Sequence, residues 1–219
     1  MNPSNVTLFY IHDPMCSWCW GFRPVWKQLE ERLRDTVNIS YIVGGLAADS
    51  DQPMAIGMQQ ALEATWQRIQ QQIPGTEFNY DFWRPASNTK PRRSTYPSCR
   101  AVLAAKIQDP TLEHAMILGV QQAYYLNAKN PSNIDALTDV ATSIGLQPEQ
   151  FRHDMVSQTV ETQLQEQLQL ARRLSAQGFP SLVLSEGNNK GERLHAIPLD
   201  YNNSHTMQQA IVNITGQAE

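Results

Sequence analysis

A pair of cysteines two residues apart, Cys16-Ser17-Trp18-Cys19, separates an apolar run from a helix-patterned segment. The run, Val6-Thr7-Leu8-Phe9-Tyr10-Ile11, reads as a strand. The segment after the cysteines carries Phe22, Trp26, Leu29 and Leu33 at three- and four-residue steps and reads as a helix to about Arg34. Pro24 falls early in it and is expected to kink it, because proline donates no backbone hydrogen bond. Residues Val37 to Val43 alternate and then become apolar, a second strand ended by Gly44-Gly45. Strand, helix and strand in this order form a β–α–β unit with parallel strands and a right-handed crossover. The motif then sits at a strand-to-helix turn with Cys16 at the helix N-terminus. Unpaired N–H groups and the helix dipole favour a thiolate there, and the thiolate is the form that attacks disulfides. Cys16 is therefore the candidate nucleophile. Cys19, one turn on, is placed to resolve a mixed disulfide by attacking Cys16 within the same chain.

The middle of the chain is helical. Met54, Met58, Leu62, Trp66, Ile69 and Ile73 follow helical steps, and both methionines fit a helix core. A stretch rich in Pro, Asn and Ser, from Pro74 to Pro97, interrupts the pattern, which resumes through Cys99, Val102, Leu103 and Ile107. Asp109-Pro110 is a helix start, Ser132 or Asn133 a cap for the next helix, and Gly145 and Pro148 an end and a beginning. A long helix carries Val160, Leu164, Leu168, Ala171 and Leu174, and Gly178 is expected to stop it. Ser181-Leu182-Val183-Leu184 reads as a buried strand, Glu186 to Gly191 as a hairpin turn, residues Arg193 to Ile197 as a strand, and Ser204 to Ile214 as a final helix. Collected, this is an α/β chain: residues 1–51 and 177–219 make a small mixed sheet with helices on its faces, and 52–176 form an inserted helical domain.

Composition narrows the function. The chain has 219 residues, 41% of them hydrophobic, enough for one large domain or a small domain with a sizeable insertion. A formal charge of −4 gives no general pull toward nucleic acid. No run approaches the ~20 apolar residues of a membrane-spanning helix. The first basic residue is Arg23, and no secretory-type leader stands before it. A cytoplasmic location is the expectation, with a removed leader left open. Three cysteines make no disulfide framework, and Cys99, next to Val102 and Leu103, reads as a buried thiol. Half of a zinc site is the alternative for the pair, but no second CxxC or HxxxH accompanies it, so no metal is expected.

The segment Asp13-Pro14-Met15-Cys16-Ser17-Trp18-Cys19-Trp20-Gly21-Phe22 resembles the active-site segment of DsbA-like thiol–disulfide oxidoreductases, and Gly178-Phe179-Pro180-Ser181 is similar to their proline-led third strand. Ser94-Thr95-Tyr96-Pro97-Ser98-Cys99-Arg100-Ala101 looks like the start of a helix in their insertion. The resemblance implies a thioredoxin-like fold with a large helical insertion, and a cis bond before Pro180 that lays it against the cysteines. It departs in two places. Ser17-Trp18 replaces the Pro-His of many periplasmic members, so a thiolate-stabilising cation is lost and a milder potential is expected. Phe179 replaces a Val or Thr, narrowing a peptide groove or adding an aromatic contact.

The candidate site is thus Cys16, Cys19 and Pro180, with Trp18, Phe179, Ser17 and His12 toward substrate. Trp18 is the expected aromatic contact, whereas Trp20 fits packing equally well. His12 either moves protons or stabilises the thiolate, or is a hydrogen-bonded structural residue, the blander reading. Asp13 reads as a turn cap. Lys90, Arg92, Arg93 and Arg100 form a basic cluster that either is solvated or binds the carboxylates of glutathione. The partners implied are protein or small-molecule thiols and disulfides, glutathione among them. No organic cofactor is implied, and oligomeric state is open. Two other functions fit the same residues: a glutathione-linked isomerase or transferase, whose relatives tend to carry serine in place of the first cysteine, and a peptide-binding or chaperone module with incidental cysteines.

Overall fold

A computed structural model describes residues 6–84, 91–188 and 191–216. Lys90 and residues 189–190 of the expected turn lie outside them. β1 (Val6–His12) leads into α1 (Ser17–Leu33) and β2 (Asn38–Val43). Six helices follow: α2 (Ile56–Gln72), α3 (Tyr96–Gln108), α4 (Glu113–Tyr125), α5 (Ile134–Ser143), α6 (Pro148–Met155) and α7 (Gln158–Arg173). The chain then returns through β3 (Ser181–Asn188), β4 (Gly191–Ile197) and α8 (Ser204–Thr215). One four-stranded sheet results, in the order β2-β1-β3-β4. β1 is parallel to β2, with Tyr10 opposite Tyr41, and antiparallel to β3, with Ile11 opposite Ser181.

The central position of β1 explains its nearly unbroken apolar sequence, since both of its faces are covered. Leu8 and Tyr10 enter a core with Phe22, Trp26 and Leu29 of α1 and Met207 and Ile211 of α8. Ile11, on the opposite face, packs with Ala171 and Leu174 beneath α7. α3 is buried through its middle, as a central helix must be; Cys99 and residues 101–105 are buried among α4, α5, α6 and α7. A third core is aromatic. Trp66 of α2 contacts Phe78, Tyr80, Phe82, Trp83, Tyr124 and Tyr125, and Trp20 of α1 stacks on Tyr125 with ring centroids 5.6 Å apart.

Two expectations are corrected. Met58 is half exposed, because the apolar face of α2 is carried by Trp66 and Ile69. Gly178 does not end α7. The helix closes at Ser175, which takes φ +59°; Ser175 N–H donates to the Arg172 carbonyl at 2.9 Å and Ala176 N–H to that of Ala171 at 3.1 Å. This is a Schellman closure with a non-glycine residue in the left-handed position. Pro24 lies inside α1, and Asp109 caps a short 3₁₀ turn, Pro110–Leu112, that runs into α4.

Trp66→Ala removes the hub of the aromatic core and is expected to lower stability by about 3–5 kcal/mol, measured as a shift in the urea midpoint with unchanged slope.

Candidate active site

The turn between β1 and α1 is built on Asp13. Its Oδ1 accepts from Met15 N–H at 2.7 Å, the Asx turn that an Asp before Pro signals. Its backbone carbonyl accepts from Cys16 N–H at 2.9 Å. Its Oδ2 accepts from Leu46 N–H at 2.7 Å and from the Thr95 hydroxyl at 2.6 Å. Thr95 itself accepts from Ala47 N–H at 3.0 Å. One buried carboxylate thereby ties the cysteine turn, the loop after β2 and the start of α3 together. Burial pushes its pKa up, and the donors from Thr95, Leu46 and Met15 oppose that.

Cys16 is the N-cap residue of α1, in extended backbone conformation (φ −83°, ψ 114°). Its thiol therefore stands at the helix end whose N–H groups lack intrahelical partners. Cys16 Sγ donates to the carbonyl of Phe179 at 3.2 Å, and the Phe179–Pro180 bond is cis. The structure thus brings Cys16, Cys19, Phe179 and Pro180 to one place. All three cysteines are free thiols. Cys16 retains 5% of its surface and Cys19 none. Burial, a hydrogen bond with Cys16 and the nearby Cys16 charge push the Cys19 thiol well above its ordinary pKa.

Phe179 packs over Gly44. A Cβ at that glycine would lie 2.0 Å from the phenyl ring, so only glycine admits it. Trp18 is half-buried, edge-on to Tyr201 at 5.3 Å and with the Arg68 guanidinium 5.7 Å from its ring centroid. Ser17 is buried, which leaves Trp18 as the more exposed member of the dipeptide. Trp20 packs inward and donates from its indole to the Glu77 carbonyl at 3.0 Å.

His12 requires a correction. It is fully buried, stacked on Tyr10 at 5.2 Å and edge-on to Tyr41 at 5.8 Å, and so does not face substrate. Among the described residues neither ring nitrogen has a hydrogen-bond partner, contrary to the hydrogen-bonded structural reading as well. Burial, helped by His114, pulls its pKa down to about 3, so it is neutral at pH 7 and supplies no cation to the thiols. The basic cluster also divides. Arg92 pairs with Asp51 at 2.7 Å and bonds the Ser132 carbonyl, while Arg100 pairs with Asp49 and Glu161. Cys99 is buried as expected, 3.8 Å from Asp13 Oδ2. Among the described residues no group of three or more His, Cys, Asp or Glu is arranged to hold a metal ion, and no helix is long and apolar enough to cross a membrane.

Residues 9–206 match the family model described as Thioredoxin, and the chain belongs to the thioredoxin family. Within that family the fold is the DsbA-like one, a thioredoxin-like sheet with helices inserted between β2 and β3. The chain superimposes on a candidate protein disulfide isomerase of Nitrosomonas europaea with TM-score 0.82 at 22% identity, covering 99% of this chain and 100% of that one. It is also similar to the cytosolic disulfide reductase DsbM of Pseudomonas aeruginosa (TM-score 0.74, 23% identity, 96% and 100% covered), which has also been solved with GSH. In sequence it is 26% identical over 187 residues to the ClpXP adapter protein SpxH of Halalkalibacterium halodurans, covering 84% of this chain and 60% of that protein. The chain spans about three fifths of the length of the curated relatives it matches.

His12 titrates differently in the two states. Its folded pKa of about 3 lies below the unfolded value near 6.5, so between those pH values the unfolded chain binds the extra proton. Stability is therefore expected to fall as pH drops from 6.5 to 3, by a total on the order of 5 kcal/mol from this residue. His12→Phe should flatten that part of the stability–pH curve, measured by urea unfolding at a series of pH values.

Proposed function

We propose that the protein is a thiol–disulfide oxidoreductase in which Cys16 attacks and Cys19 resolves, working as a reductase of protein or small-molecule disulfides in the cytoplasm. The observation that carries this reading is the 3.2 Å contact between Cys16 Sγ and the Phe179 carbonyl, which joins the CxxC turn to the cis-proline 163 residues away. The Cys16 thiolate attacks one sulfur of a substrate disulfide, forming a mixed disulfide and expelling the other sulfur as a thiolate. Cys19 then loses its proton and attacks Cys16 Sγ. A Cys16–Cys19 disulfide forms and the second substrate thiolate leaves. Two electrons have passed to the substrate, and two equivalents of a thiol such as glutathione restore the pair.

The burial pattern supports this division of labour. The nucleophile keeps a sliver of surface, whereas the resolving thiol is desolvated and stays protonated until Cys16 is bonded to substrate. The reducing direction is supported by electrostatics. Strong oxidants stabilise the reduced thiolate. Here Ser17-Trp18 supplies no imidazolium and His12 is neutral. The GSH-bound neighbour supports glutathione as the reductant. Trp18 and Phe179 are the residues we assign to substrate contact, with Ser17 buried beside Trp18.

Cys16→Ser is expected to reduce turnover of a dithiol-linked disulfide assay to the uncatalysed rate, while Cys19→Ser accumulates mixed disulfides visible by intact mass. A titration in glutathione buffers should show one reversible two-electron transition, with a midpoint on the reducing side of the glutathione-buffered range. Equal activity of the two single variants would overturn the assignment.

The match to proteins named ClpXP adapter favours a second reading, in which this fold binds a client for delivery to a protease. In that case the Cys16→Ser/Cys19→Ser double variant should retain full client binding in a pull-down, and the wild type should show no thiol exchange.

A further inference from the structure

A cavity of about 270 Å³ opens between α1 and α4, with Tyr10, Arg23, Trp26, Tyr41, Ile117 and Gln121 on its walls. Neither the cysteines nor Phe179 and Pro180 line it, although Tyr10 in its wall also faces Cys19. Its wall is aromatic: Tyr10 and Trp26 stack with centroids 4.3 Å apart, and Tyr41 stands edge-on to both, at 5.3 and 5.9 Å. Most of its polar groups satisfy one another. Trp26 Nε1–H donates to the Tyr41 hydroxyl at 2.6 Å, which donates to Glu30 Oε1 at 2.9 Å.

Two polar atoms are left over. Arg23 Nε and Gln121 Oε1 are buried and have no hydrogen-bond partner among the described residues. Gln121 as a residue is only 2% exposed. Arg23 lies over the Trp20 ring at 4.8 Å, and burial alone lowers its pKa, with no anion set against it. Buried groups of this kind normally have partners, and an unpaired donor or acceptor costs about 1–3 kcal/mol. The two are complementary in sign: a cationic donor that wants an anion, and an acceptor that wants an N–H or O–H. Lys27 adds a second cation to the lining. Glu30, the carboxylate in this wall, is already engaged by the Tyr41 hydroxyl.

We propose that this cavity binds a small, flat aromatic carboxylic acid carrying one hydrogen-bond donor on its ring, the carboxylate on Arg23 and the donor on Gln121. The aromatic wall takes the ring face. The volume lies just below the range of ~300–1,000 Å³ typical of ligand pockets and suits a molecule of about a dozen heavy atoms.

The test is calorimetric titration of the reduced protein with indole-3-acetate as probe. The expected result is saturable one-site binding, weakened about tenfold or more by Arg23→Gln. Benzofuran-3-acetate has the same charge and nearly the same shape but no N–H, and should bind the wild type several-fold more weakly, on the order of one hydrogen bond. That preference for indole should vanish in Gln121→Leu. The comparison of two probes on the wild type needs no variant to fold. Absence of saturable indole-3-acetate binding, an unchanged affinity in Arg23→Gln, or equal binding of the two probes by the wild type would each overturn the proposal.

Discussion

The Asp13 carboxylate is the interaction on which the reactive turn depends. A carboxylate without solvent is expensive unless several donors converge on it. Here Met15, Leu46 and Thr95 do so, and they come from three separate stretches of chain. The geometry of the cysteine turn is consequently not a local property. It is set by the loop after β2 and by the first turn of α3 as much as by the residues around Cys16. The inserted helices therefore reach the reactive turn by direct contact: Thr95 holds Asp13 from below, while Trp20 stacks on Tyr125 from the side.

Burial rather than charge separates the two thiols. The shared motif leaves them chemically alike. Their different positions on α1, one at the cap and one a turn inside, leave Cys16 at the surface limit and Cys19 fully desolvated. Desolvation disfavours the charged form of a thiol, which in the proposed mechanism makes Cys19 the second to act. His12, next to the turn, contributes no positive charge, because Tyr10 and Tyr41 enclose it.

Much of this was legible in the sequence where hydrophobic period and turn chemistry agree. The strand–CxxC–helix–strand opening and α8 rest on strong local patterns, whereas residues 186–188 and 191, which read as turn, continue the β3–β4 ladder. Tertiary facts were not legible. The spacing of Met54 and Met58 at four residues said helix, yet α2 begins at Ile56 and buries the side on which Trp66 stands. Gly178 looked like the stop for α7, but three residues earlier Ser175 accepts the strained conformation because two closing hydrogen bonds hold it. Asp13 signalled an Asx turn and nothing more; its bond to Thr95 spans 82 positions and leaves no local trace. The arginines at 92 and 100 sit close in sequence, but the carboxylates that occupy them, Asp51, Asp49 and Glu161, come from distant stretches and leave no local trace. The closeness of Pro180 to the cysteines came from family resemblance, not from periodicity.

The Cys16–Phe179 contact has a consequence for synthesis. The cysteine pair leaves the ribosome well before the residue that covers it, which follows 163 positions later. At roughly 5–20 residues per second, Cys16 and Cys19 spend on the order of ten to thirty seconds as nascent thiols before β3 exists to pair with β1. During that interval nothing from the C-terminal half shields them, and the redox state of the surrounding compartment, not the finished site, governs what they become.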